Sequence, residues 1–90
     1  MFVSIHCDLG SDDHRKSVYS IISQYGCKQI MKDVFESTSL EENTLSRLKR
    51  DIDKKTDFYD TIRIYQYPIN DAFVISYLNK KKWRRFVVRQ

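Results

Sequence analysis

Apolar side chains alternate along the first residues of the chain, with Val3, Ile5 and Cys7 on one face and Phe2, Ser4 and His6 on the other. This period of two predicts a strand that ends at Asp8, and its two partly apolar faces suit a central strand covered on at least one side. Leu9-Gly10-Ser11 forms a turn, after which Ser11 or Asp12 caps a helix with acidic residues in its first turn. The period then lengthens. Val18, Ile21, Ile22 and Tyr25 follow helical spacing on one stripe, and Gly26 stands where a helix ends in a left-handed residue. Residues 27–38 are extended in character, as one bent strand or as a hairpin turning near Lys32-Asp33. Ser39-Leu40-Glu41-Glu42 has the form of a capping box. It opens a helix that turns Leu45, Leu48 and Ile52 inward and Arg47, Lys49, Arg50 and Asp51 to water. A strand from Phe58 to Tyr67 follows, closed by Pro68. Two apolar runs, Ala72–Tyr77 and Trp83–Val88, flank Asn79-Lys80-Lys81-Lys82 and predict a further hairpin or strands reaching beyond the domain.

Strand, helix, extended pair, helix, strand and β tail make an α+β chain, and the order is that of a ferredoxin-like βαββαβ sandwich with additional C-terminal strands. Residues 1–67 form the core and residues 68–90 a basic β extension of the same single domain. Ninety residues bury a limited core, so a homodimer is a natural supplement to stability. The Trp83–Val88 run, rich in Arg yet apolar at alternate positions, suits a strand that pairs with its own sheet or with a partner subunit.

Charge sharpens the picture. Six of the sixteen basic residues lie in positions 80–90, where there is no acid, leaving ten basic against twelve acidic side chains in the rest of the chain. The basicity belongs to the C-terminus and points to a polyanionic partner or a solvated tail. Cys7 and Cys27 make neither metal-ligand spacing nor a disulfide framework, which fits a reduced, cytoplasmic setting. The start has no basic n-region, and no apolar stretch reaches the length of a membrane span.

Several chemistries are excluded by what is missing. With Gly10 and Gly26 as its only glycines, the chain has no phosphate-cradling loop and no dinucleotide fingerprint. No strand-to-helix serine elbow exists. His6 and His14 lack partners at zinc spacing, and His6 reads as a packed strand histidine. Phe35, Tyr65 and Tyr67 stand where an RNA-recognition motif stacks bases, but Lys32-Asp33-Val34-Phe35-Glu36 lacks that motif's glycine, so core or interface packing is their reading. Asp8 remains. Alone it is a turn residue or an Asx-turn into Gly10. Doubled across a dimer two-fold, the pair holds a divalent cation with waters and a phosphate, for phosphodiester hydrolysis.

A strand ending in Asp8, the helix from Asp12 to Tyr25, Gly26 with Lys28, Val34-Phe35-Glu36 before a capped helix and the strand Thr61-Ile62-Arg63-Ile64-Tyr65 together resemble the CRISPR-associated protein 2 family over residues 1–67. The resemblance implies a ferredoxin-like homodimer that bridges the CRISPR-associated protein 1 integrase during spacer acquisition and offers a basic surface to double-stranded DNA. It also implies a metal-dependent endonuclease on DNA or single-stranded RNA, with Asp8 as catalytic residue and ligand of Mg2+, or of Mn2+ in its place. Cys7 departs from the aromatic residue usual before this Asp, and Met31, Lys32 and Asp33 replace a Gln, a variable residue and a Ser. Asp33 is thereby a second candidate carboxylate. Arg15, Lys16, Lys28, Lys80, Lys81, Lys82, Arg84 and Arg85 are the candidate phosphate contacts. Such contacts bind backbone without reading sequence. The alternatives are a stand-alone ribonuclease similar to virulence-associated protein D and a non-catalytic scaffold that binds a partner by strand addition.

Overall fold

The computed structural model describes residues 1–89. One antiparallel sheet of six strands runs in the order β2-β3-β1-β4-β5-β6. The elements are β1 (Phe2–Asp8), α1 (Asp12–Gln24), β2 (Lys28–Met31), β3 (Val34–Ser37), α2 (Glu42–Lys54), β4 (Thr61–Ile69), β5 (Ala72–Asn79) and β6 (Lys82–Arg89). The chain is α+β, and the order of its first four strands is compatible with a ferredoxin-like arrangement. No helix among the described residues is long and apolar enough to cross a membrane.

Both helices pack on one face of the sheet. Val18 and Ile22 of α1 and Leu45, Leu48 and Ile52 of α2 close over Val3, Ile5, Phe35, Ile62 and Ile64, all buried. Burying each such side chain contributes about 1.5–3 kcal/mol relative to exposure. Ser11 caps α1, its hydroxyl accepting from the His14 amide at 3.1 Å. The helix ends in a Schellman motif: the Cys27 amide donates to the Ile22 carbonyl and the Gly26 amide to that of Ser23, with Gly26 at φ 87°.

Several expectations need correction. Helix α2 is not capped by Ser39. Its N-cap is Glu41, without a side-chain hydrogen bond. Leu40 is buried instead, one residue before the cap, in the same cluster as Leu45. A hydrophobic staple outweighs the capping box. Residues 27–38 resolve into the hairpin β2–β3, with Asp33 at φ 64° in its turn. Strand β4 starts at Thr61 rather than Phe58, because residues 57–60 form a turn closed by the Asp60 amide on the Asp57 carbonyl. Nor does Pro68 close the strand. It lies inside β4, between Gln66 and Ile69, where the register against β5 shifts and a missing amide is tolerated.

The C-terminal runs form the hairpin β5–β6, and β6 pairs with β5 of its own chain from Ala72↔Arg89 to Asn79↔Lys82. Its turn is Lys80-Lys81, both at positive φ, and Asn70-Asp71 joins β4 to β5 in the same way. Positive φ at both central residues is the twist that a two-residue hairpin needs.

Candidate functional site

Alternation along the strands leaves one sheet face without helices, and register places its side chains in rows. His6 stands beside Arg63, Arg63 beside Tyr77 and Tyr77 beside Arg84. The next rows are Ser4, Tyr65, Ile75 and Phe86, then Phe2 and Tyr67, with Phe73 and Val88 paired further out. Phe2, Tyr67, Phe73, Phe86 and Val88 are all exposed. The Tyr67 and Phe73 rings lie 4.7 Å apart, and the Arg63 guanidinium sits 5.5 Å from the rings of both Tyr65 and Tyr77. One end of this face is thus apolar and the other polar.

Asp8 lies at the polar end, opposite Thr61, and is exposed. Its backbone carbonyl accepts from the Thr61 hydroxyl at 3.4 Å, while its carboxylate makes no hydrogen bond or ion pair among the described residues. The Asx-turn reading fails, because the Gly10 amide donates to Asp60 instead. Asp33 does not join Asp8 through its carboxylate. That group accepts from the Tyr19 hydroxyl and lies 3.7 Å from Nε of Arg15, on the α1 side. His6 is not packed either. It is exposed on the helix-free face, 2.9 Å from the Ser4 hydroxyl and beside Tyr65. Phe35 points to the opposite face, buried against Tyr19, so Phe35, Tyr65 and Tyr67 form no common platform.

The candidate phosphate contacts are scattered. Lys16 and Lys28 are exposed, on α1 and β2. Arg15 pairs with Asp12 and Asp33. Lys81 donates to the carbonyls of Asp53 and Thr56 and pairs with the Asp53 carboxylate at 3.3 Å, which ties the β5–β6 turn to the C-terminus of α2. Lys80 sits 5.9 Å from the Phe58 ring. Lys82, Arg84 and Arg85 are exposed, with Arg84 in the Tyr77 row and Arg85 beside Ser76, whose side chain faces the helices.

Sequence reasoning missed Asp60. It is wholly buried just before β4 and accepts from the Gly10 amide at 2.7 Å, the Asp57 amide at 2.8 Å and Nδ1 of His14 at 2.6 Å. Burial raises its pKa, but the two amides and the imidazole lower it further, so the net shift is below the ordinary carboxylate value. His14, Asp57 and Asp60 are close enough together to hold a metal ion. However, both Asp60 oxygens and Nδ1 of His14 are already engaged with one another and with backbone, which is the pattern of a structural clamp. A turn Asp-x-x-Asp between helix and strand was the available signal. On the same side, burial pushes the Cys7 thiol up to about 12, with Asp33 adding to the shift.

No family model, curated protein or solved structure matches this chain.

Proposed function

We propose that the chain is a ferredoxin-like homodimer of the CRISPR-adaptation type, which closes two helix-free faces on each other, binds the backbone of double-stranded DNA and acts with the CRISPR-associated protein 1 integrase. The observation that carries this reading is Asp8: an uncommitted carboxylate at a rigid strand end, on the rim of an uncovered face whose far end is apolar. Exposed rings gathered in register are the composition of an interface core, and Asp8 and Arg63 are that of a polar rim. Across a two-fold, Asp8 is presented twice, and two carboxylates completed by waters and phosphate suit Mg2+. When bound, the ion supplies Lewis-acid polarisation and an activated water. Asp8 orients it, Thr61 fixes the strand end through the Asp8 carbonyl, and Lys82 and Arg84 add positive charge for the backbone phosphates.

The test is light scattering combined with cleavage of duplex DNA and single-stranded RNA in Mg2+, on wild type, Asp8→Ala and Phe73→Asp. Wild type is expected as a dimer with Mg2+-dependent hydrolysis, Asp8→Ala as an inactive dimer and Phe73→Asp as a monomer. Equal cleavage by Asp8→Ala and wild type refutes the role of Asp8, and a monomeric wild type refutes the dimer.

Arg63 between two tyrosine rings favours a second reading, the stand-alone ribonuclease. An open aromatic and cationic face stacks unpaired bases. In that case wild type is monomeric, and Tyr65→Ala loses RNA binding.

A further inference from the structure

On the helix side, beyond the apolar core, the sheet turns polar under the first half of α2. Gln66 of β4 and Ser76 of β5 are only 3% and 2% exposed, at positions where the pattern of Ile62, Ile64, Val74 and Leu78 would place apolar groups. Above them stands a pocket of about 220 Å3 that Asn43, Ser46 and Lys49 of α2 share with Gln66 and Arg85. Lys49 is half-buried. Its ammonium donates to the Ser76 hydroxyl at 2.6 Å and lies 5.6 Å from the Trp83 ring. Register sets Arg85 beside Ser76, so the guanidinium and the ammonium share one recess. Neither cation forms an ion pair among the described residues. Glu42 also lines the recess, one negative charge against the two positive ones.

We propose that this recess is a binding site for a phosphate-class oxyanion, held between Lys49 and Arg85 with hydrogen bonds from Asn43 and Ser46. Half-buried Lys49 loses hydration and is repelled by the exposed Arg85 beside it, and a tetrahedral anion between them offsets both costs. Arg offers the anion a two-pronged fork while Lys offers a point charge, a combination suited to phosphate. The Lys49 pKa is lowered by burial first and by Arg85 second, with Glu42 opposing, as expected for a cation short of counter-charge. Asn43 and Ser46 lie one turn apart on the α2 face that lines the recess, where their side chains complete a polar wall. The site faces away from Asp8, so it stands whether or not the dimer reading holds.

Trp83 is the only tryptophan of the chain and rests against Lys49, so it reports occupancy directly. Inorganic phosphate is titrated into the full chain at constant ionic strength, with chloride as control. Tryptophan fluorescence and calorimetry read the binding. Wild type is expected to show a saturable change with phosphate only, at least about tenfold weaker in Arg85→Gln. Arg85 is exposed, so that variant keeps the fold, and Lys32→Gln, an exposed cation in the distant β2–β3 turn, is expected to bind as wild type does. A parallel titration with adenosine 5′-monophosphate separates sources: tighter binding than phosphate assigns a nucleotide ester, and equal binding assigns the free ion. Absence of a saturable phosphate response in wild type, or equal affinity in Arg85→Gln, overturns the proposal.

Discussion

Replacing Asp60 by Asn tests whether one buried carboxylate holds the end of the sheet where β1, α1 and β4 meet. The substitution keeps the shape and leaves one oxygen for the Gly10 amide. Its NH2 group then faces the Asp57 amide, donor against donor. His14 can turn to its other tautomer, whereas a backbone amide cannot. One charge-assisted bond worth about 1.5–3 kcal/mol is lost and two are weakened to neutral strength, for a total near 3 kcal/mol. In a domain of this size that lowers Tm by roughly 12–24 °C. The pH dependence provides a second reading of the same cause. Because the folded pKa of Asp60 is held below its usual value, its contribution is complete above the unfolded carboxylate value of about 3.9 and fades as pH falls through the lower folded value. The gap between wild type and Asp60→Asn therefore narrows as pH falls below about pH 4. Thermal melts by circular dichroism across that range measure both. A Tm change under about 3 °C at pH 7, or a gap that fails to narrow below about pH 4, refutes the clamp.

Two further predictions concern the β5–β6 turn and the buried cysteines. Lys81→Met removes the cation that ties the β5–β6 turn to the end of α2. It is expected to cost about 1 kcal/mol in urea unfolding, whereas exposed, unpaired Lys82→Met stays within about 0.5 kcal/mol, and equal effects contradict the tie. Cys7 and Cys27 are buried, and burial raises both thiol pKa values, that of Cys7 to about 12. Both are expected to resist a thiol reagent in native protein at pH 8 and to react in denaturant, and rapid native labelling of Cys7 contradicts its burial.

What the sequence made legible was local. β1 and α1 are set by side-chain period and by caps within a few residues, so Ser11, Gly26 and the stripe of Val18 and Ile22 fall where the pattern put them. Asp60 was legible only as the end of an Asp-x-x-Asp turn with Asp57, because its other two partners, Gly10 and His14, lie far along the chain. The N-terminus of α2 was misplaced since burial of Leu40 competes with a hydroxyl cap that solvent can replace. Lys49 was assigned to the wet face, although Leu45, Leu48, Lys49 and Ile52 repeat the spacing of Val18, Ile21, Ile22 and Tyr25. Charge type misled where spacing was informative. The strand-end position of Asp8 was legible, and its commitment to solvent is what the fold adds.

The sheet ends on β6, whose outer backbone groups have no strand beside them among the described residues. A row of open amides and carbonyls next to exposed Phe86, Val87 and Val88 is a template on which any extended chain can crystallise. Lys82, Arg84, Arg85 and Arg89 stand along that border with no acid among them. A second copy approaching edge to edge would meet its own charges, and that repulsion guards the border. By that argument the C-terminal cations have a role that needs no ligand: like charge along the border disfavours edge-to-edge growth of the sheet.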